Sequence, residues 1–114
     1  MKTRIENFTG IIKNCDERWL KEVLTTNLQQ SGFSILRFTD HQFDVFGYSA
    51  LWLLGESHLA IHTFPENNSS YIELSSCVEG KGDKFWARLA EECDLVQDFG
   101  KRILQENPNE SVDK

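Results

Sequence analysis

The chain has 114 residues, of which 39% are hydrophobic and 26% charged, so we expect residues 1–114 to form one globular domain. Its net charge of −6 argues against a nucleic-acid-binding protein, which would need a basic face. No apolar run approaches the roughly 20 residues of a membrane helix, and Met1–Gly10 lacks the apolar segment of a signal peptide. Three cysteines without paired spacing argue against a disulfide framework, and a cytoplasmic protein is expected.

The first third of the chain predicts a strand followed by a helix. The apolar run Phe8–Lys13 is typical of a strand. Asn14 and Glu17 have the spacing of a capping box, and leucines then recur at helical intervals. We therefore predict a helix over about 16–31, ended by Gly32.

The middle of the chain predicts two further strands. Phe33–Thr39 is rich in strand-forming residues, and the Asp and Gly of His41–Gly47 indicate a loop that is unusually apolar. Ser49–Leu54 is apolar at nearly every position, which favours a central strand buried on both faces.

The next two segments alternate between apolar and polar residues, as strands do. In His58–Phe64, Leu59 and Ile61 point one way and the histidines the other. Tyr71–Cys77 repeats the pattern, and Pro65–Ser69 between them has the composition of a turn. We expect an antiparallel hairpin.

The C-terminal part predicts a second helix. Gly80 and Gly82 interrupt the chain, after which Asp83 is expected to cap a helix that reaches Val96. Ile103 and Leu104 fit either a last strand or a helix end, and 107–114 is expected to be a solvated tail. Together the elements predict an α+β layered sandwich, with a mainly antiparallel sheet and both helices on one face.

Polar and reactive groups concentrate in the predicted hairpin. A short turn places Cys77 opposite Ser57 or His58, and Glu73 opposite His62. We expect all five side chains on the face away from Leu59 and Ile61. A slip of one residue would reverse one strand, so this surface depends on the register.

Taken singly, each of these residues has an ordinary structural explanation. A serine at a strand start is commonly a turn residue, and a lone cysteine is commonly a small buried hydrophobe. A zinc site is disfavoured because His58 and His62 lie about 13 Å apart along a strand. A serine hydrolase is disfavoured because Gly55–Leu59 lacks the second glycine of a nucleophile elbow.

The segment Glu56–Glu66, with the sequence Glu-Ser-His-Leu-Ala-Ile-His-Thr-Phe-Pro-Glu, resembles the signature of the prokaryotic pyruvoyl-dependent S-adenosylmethionine decarboxylase proenzymes. The resemblance continues at fixed offsets from Ser57, at Ser49, His62 and Cys77. It runs from about Phe8 to Ala90. The usual family pattern has Trp at the position of Phe64, a proline in the loop where Val45 stands, and Gly at the position of Ala50.

The resemblance implies a self-processing mechanism. The hydroxyl of Ser57 attacks the carbonyl of Glu56, and elimination converts Ser57 into a pyruvoyl cofactor. His62 would be the base for this step, with Ser49 assisting. The pyruvoyl ketone would form a Schiff base with the substrate amine and act as an electron sink, and Cys77 would return a proton to the α-carbon.

The resemblance also implies the ligand and the assembly. Glu66 matches a carboxylate that binds the ribose hydroxyls, while Phe43 matches an aromatic residue that stacks on adenine and Phe64 assists it. The expected function is decarboxylation of S-adenosylmethionine for polyamine synthesis by a homodimer with sites near its interface, with no metal. Two alternatives stay open: a pyruvoyl decarboxylase of ornithine or arginine, and an unprocessed paralogue that binds a partner.

Overall fold

The computed structural model describes residues 3–106, which form one antiparallel sheet and two helices; the predicted tail at 107–114 lies outside the described residues. The sheet has six strands in the order β2-β3-β4-β5-β1-β6, and every neighbouring pair is antiparallel. The elements are β1 (Arg4–Ile12), α1 (Glu17–Gln30), β2 (Ile35–Gln42), β3 (Tyr48–Leu54), β4 (Ser57–Phe64), a single 3-10 turn (Pro65–Asn67), β5 (Ser69–Ser76), α2 (Lys81–Glu92) and β6 (Leu95–Gln105). None of the helices within these residues is long and apolar enough to cross a membrane.

The first helix begins and ends close to its predicted bounds, but its cap differs. Asp16 is the N-cap, and its carboxylate accepts a hydrogen bond from the Trp19 amide at 2.8 Å. The side chain of Asn14 instead accepts from the Asp16 amide, so the predicted capping box of Asn14 and Glu17 is wrong. Beyond the C-cap, Gly32 adopts φ +96, a left-handed conformation that glycine takes without strain.

The second helix is shorter than predicted. It begins after Gly80, which has no side chain to cap it, and Asp83 lies in the first turn, where its carboxylate binds Lys101 at 3.1 Å. The helix ends at Glu92, and Val96 belongs to the long edge strand β6, which also contains Ile103 and Leu104. The apolar residues continue past the point where the chain turns back to pair with β1, so their spacing does not locate the end of the helix.

Both helices cover the same face of the sheet, which confirms the α+β sandwich. The indole of Trp52 on β3 donates to the hydroxyl of Thr25 on α1 at 3.0 Å, and Asn27 of α1 donates to the Phe85 carbonyl of α2. Strand residues that point to this face fill one core, in which Leu59, Ile61, Ile72 and Leu74 are fully buried.

No element within residues 3–106 covers the opposite face of the sheet, which we call the open face. Leu51 and Leu53 of β3 are 42% and 48% exposed there. The prediction that Ser49–Leu54 is buried on both faces is therefore wrong for the single chain. The alternating residues Ala50, Trp52 and Leu54 do face the core.

The predicted hairpin forms, with a different register. Ser57 pairs with Ser76, and His62 pairs with Tyr71 rather than with Glu73. Cys77 lies one residue beyond β5, and Glu73 pairs with Ala60. The 3-10 turn at Pro65–Asn67, followed by Asn68 at φ 49, closes the hairpin in a way that the turn composition alone does not specify.

Candidate active site

Ser57 lies at the start of β4, where the β3–β4 hairpin turns through Gly55 and Glu56. Its side chain is 7% exposed, and its hydroxyl oxygen accepts a hydrogen bond from the backbone N–H of Cys77 at 3.2 Å. The preceding residues Gly55 and Glu56 are exposed. Ser57 is thus a fixed hydroxyl beside an accessible peptide bond. Cys77 contacts it through its backbone amide, although Cys77 is not the ladder partner of Ser57 or His58 that the sequence predicts.

Cys77 differs from the other two cysteines in its exposure. All three are free, but only Cys77 is exposed, whereas Cys15 and Cys93 are partly covered. Burial raises the pKa of Cys93 to about 11, and its thiol donates to the Leu89 carbonyl at 3.3 Å. Cys93 therefore has a packing role, while Cys77 can meet a solvent-borne molecule.

Ser49 of β3 and His62 of β4 form a second polar pair, toward the opposite end of β4 from Ser57. They are direct partners across the β3–β4 ladder, and the Ser49 hydroxyl is 2.7 Å from Nδ1 of His62. Antiparallel pairing brings together two residues that are 13 positions apart in the sequence. The contact engages Nδ1, on one edge of the imidazole ring, and leaves Nε2 free of Ser49.

A residue that the sequence pattern does not identify supports His62 from the other side. Tyr71, the partner of His62 on β5, places its ring nearly parallel to the imidazole, with centroids 6.5 Å apart. Its hydroxyl donates to Glu73 at 2.8 Å, and burial, together with that bond, raises the pKa of Tyr71 to about 12. Tyr71 is therefore a neutral donor at physiological pH. Only the exact register identifies it as a neighbour of His62.

Ser57 and His62 are not brought together in one chain. They are five residues apart on β4, a span of about 16 Å, and an odd separation directs their side chains to opposite faces. Ser57 shares the buried side with Leu59 and Ile61, while His62 is on the open face. The prediction that placed Ser57 on the histidine surface is therefore wrong. His58, His62 and Glu73 do share the open face.

The predicted ligand-binding residues lie at the His62 end of the hairpin. Phe43 and Phe64 are 51% and 44% exposed, and Glu66 is exposed in the 3-10 turn. Phe43 and Pro65 border an open cavity of about 610 Å³ formed by the loop after β2. A second cavity, of about 340 Å³, contains Ser49 and His62 on the open face. Glu66, Phe43 and Phe64 are thus near His62, and far from Ser57.

Comparison with known proteins gives one consistent family. The S-adenosylmethionine decarboxylase proenzyme of Prochlorococcus marinus (strain MIT 9313) is 35% identical over 88 residues, which are 76% of this chain and 66% of that protein. The proenzyme of Synechococcus sp. (strain WH7803) is 30% identical over 94 residues, 82% of this chain and 73% of that protein. This chain thus spans about two thirds to three quarters of their length.

A solved structure supports the same fold. The adenosylmethionine decarboxylase of Aquifex aeolicus VF5 superposes with a TM-score of 0.72 over 91% of each chain, at 17% sequence identity. At that identity the likeness concerns the arrangement of strands and helices. The sequence match is independent of it, because residues 7–96 fit the model of the S-adenosylmethionine decarboxylase family. With most of its length matched and the same fold, this chain belongs to the S-adenosylmethionine decarboxylase family.

Proposed function

We propose that the protein is a pyruvoyl-dependent decarboxylase that cleaves itself between Glu56 and Ser57 and decarboxylates S-adenosylmethionine for polyamine synthesis. The observation that carries this proposal is the buried Ser57 hydroxyl, held by the Cys77 amide next to an exposed turn. Relatives in the family are named proenzymes, which fits a chain that requires processing. A cytoplasmic location suits three free cysteines, which stay reduced there.

The cleavage requires no external oxidant or reductant. The Ser57 oxygen bonds to the Glu56 carbonyl carbon, the peptide C–N bond breaks, and the hydroxyl proton passes to the freed nitrogen, which leaves an ester. A base then removes the Ser57 α-proton, and the Glu56 carboxylate departs by β-elimination. The resulting dehydroalanine tautomerises to an imine, and water replaces its nitrogen as ammonia. Residue 57 becomes a pyruvoyl group.

The residues around Ser57 fit such a group. The cleaved N-terminus would lie at the start of β4, next to the exposed turn, and the Cys77 thiol belongs to the same residue whose backbone amide binds the Ser57 oxygen. The pyruvoyl group supplies an electron sink for loss of carbon dioxide. Cys77 then supplies the proton that replaces the carboxylate on the α-carbon, since it is the one exposed thiol among the described residues.

The base for elimination comes from a second copy of the chain. Within one chain, His62 lies about 16 Å from Ser57 along β4, too far for proton transfer. One end of the hairpin therefore carries Glu56, Ser57 and Cys77, and the other carries Ser49 and His62. In a two-fold dimer the His62 end of one protomer meets the Ser57 end of its partner, and two complete sites form.

The open face is the surface that such a dimer would bury. It exposes Leu51, Leu53 and Phe64, with Leu104 of β6 38% exposed. Apolar residues on a sheet face without covering helices favour association with another such face. The proton to be removed is on the Ser57 α-carbon rather than on its side chain, so the base does not need to reach the core side. We propose a homodimer joined through this face.

The His62 end also supplies the groups for a nucleoside. Phe43 and Phe64 present exposed rings on which adenine can stack, and the Glu66 carboxylate can accept bonds from both ribose hydroxyls. In the dimer these residues approach the partner's cleavage end, so the nucleoside and the amino-acid part of the substrate contact different chains.

The first expected result is self-cleavage. Under denaturing conditions the purified protein should give two masses, for residues 1–56 and 57–114, and the second fragment should react with a hydrazide through its ketone. Ser57→Ala should remain one chain, because it lacks the nucleophile. Ser70→Ala, which removes another buried serine of the same hairpin, should still cleave. If the wild-type protein stays intact and carries no ketone, the pyruvoyl decarboxylase is excluded, and the unprocessed paralogue that binds a partner is the remaining alternative.

The second expected result is complementation between two inactive variants. Ser57→Ala and His62→Ala should each stay uncleaved alone. When they are unfolded together and refolded as a mixture, the heterodimer has one intact site, so the His62→Ala chain should be cleaved. Mass spectrometry distinguishes the two chains. If His62→Ala cleaves alone, or the mixture stays uncleaved although native mass spectrometry shows heterodimers, the shared site is wrong.

The third expected result separates chemistry from packing at the cysteines. Cys77→Ala should lower turnover by roughly a hundredfold, the usual worth of a positioned proton donor, with little change in melting temperature. Cys93→Ala should lose about 1 kcal/mol of stability and keep its turnover, because its thiol only packs against α2. Turnover and thermal unfolding are measured on the same samples. If Cys77→Ala lowers the melting temperature and keeps its turnover, Cys77 is not the proton donor.

The fourth expected result concerns the substrate. Loss of a charged hydrogen-bond acceptor in Glu66→Gln should raise the KM for S-adenosylmethionine by roughly 10- to 150-fold. The matched change Glu91→Gln, on the exposed side of α2, should leave KM unchanged. Ornithine and arginine, which have no ribose, should release carbon dioxide slowly. Faster release from either amino acid would transfer the assignment to that substrate.

A further inference from the structure

The residue on the acyl side of the scissile bond has an unusual backbone conformation. Leu54 and Ser57 pair across the β3–β4 ladder, so Gly55 and Glu56 form a two-residue turn. Glu56 has φ 59, in the left-handed region, whereas Gly55 does not lie in that region. A side chain at position 55 would meet no atom within 4 Å. Glycine thus stands where the turn does not require it, and a glutamate stands where glycine is preferred.

Contacts on both sides hold Glu56 in this conformation. The amide of Gly55 donates to the Ser34 carbonyl at 3.2 Å, which anchors the start of the turn. On the other side Ser57 is held in the ladder, and its hydroxyl oxygen accepts from the Cys77 amide at 3.2 Å. Because both ends are fixed, Glu56 cannot rotate to an ordinary φ without breaking these contacts.

We propose that this left-handed Glu56 stores strain in the precursor and so accelerates its self-cleavage. The inference rests on the proposed function. When the Glu56 carbonyl passes from the Ser57 nitrogen to its oxygen, Glu56 becomes attached through a longer, freely rotating link. The ladder then no longer dictates the φ angle of Glu56. The strain is present before the acyl shift and released by it, so it lowers the barrier.

The other left-handed residue without a glycine provides a comparison. Asn68 has φ 49 in the turn before β5, but asparagine adopts this region with little cost, and no reacting bond is nearby. Glutamate lacks that tolerance. The strained residue lies at the peptide bond that is proposed to be cleaved, whereas the left-handed residue of the other turn is an asparagine with little strain. The strain is therefore connected with the reaction rather than with hairpin formation in general.

The test compares Glu56→Gly with Glu56→Ala. Both variants lack the carboxylate, and they differ in the Cβ atom that causes the strain. Cleavage of the refolded precursor is followed by denaturing electrophoresis. Glu56→Gly should cleave roughly 5- to 30-fold more slowly than Glu56→Ala, which corresponds to the cost of a left-handed residue with a Cβ. Asn68→Gly should leave the rate unchanged.

A stability measurement distinguishes strain from mere flexibility. In the Ser57→Ala background, which stays whole, glycine at 56 should lower the equilibrium constant of urea unfolding by a similar factor relative to alanine. A lower unfolding constant means that glycine stabilises the folded precursor. If glycine slows cleavage but does not stabilise the precursor, glycine only loosens the turn, and the inference is overturned. Equal cleavage rates would also overturn it, but leave the proposed function intact. If the unaltered protein does not cleave, the proposed function itself fails.

Discussion

Side chains along β4 alternate between a buried and an open face, and most of the proposed chemistry depends on that alternation. Leu59 and Ile61 occupy the buried face with Ser57, and His62 is on the other. No rotation of either side chain can bring Ser57 and His62 together, because they are separated by about five strand residues as well as by the sheet. A single chain therefore holds the two parts of the proposed reaction centre at opposite ends of one hairpin.

The same sheet gives each half a rigid support. Ser49 and His62 are direct ladder partners, and Tyr71 stacks against the imidazole from the next strand. At the other end, the Cys77 amide fixes the Ser57 oxygen. These contacts come from strands β3, β4 and β5, which are central in the sheet and backed by the core, and from Cys77, which directly follows β5. Preorganisation of this kind costs nothing at the time of reaction.

The position of the two helices leaves one face of the sheet uncovered. Both pack on one face, held by the Trp52–Thr25 and Asn27–Phe85 hydrogen bonds, and the other face keeps exposed leucines. A chain that covered both faces would keep the two parts of the proposed site apart. In the proposed homodimer a second copy binds the open face and completes both sites, so incomplete burial and shared chemistry would have one structural origin.

Much of the fold could be predicted from local patterns. The alternation in His58–Phe64 and the leucine spacing of α1 identified those elements because each depends on neighbours in the sequence. The C-terminal end of α2 could not be predicted, and Ile103 and Leu104 fitted either a strand or a helix end, since β6 exists through its pairing with β1, some 90 residues earlier. The family motif around Ser57 likewise named candidate residues without showing which of them are neighbours.

By itself, the sequence determined the chemical groups, the α+β class and the face that each residue of a strand can occupy, since period-two alternation is a local property. Only the tertiary structure decided the register that pairs His62 with Tyr71, the left-handed turn at Glu56 and the open face of the sheet. Register, turn conformation and layer packing are settled by contacts between distant segments, and a local pattern is compatible with several outcomes for each. The separation of Ser57 from His62 follows from both, because alternation directs the side chains apart and the sheet keeps the strand between them straight.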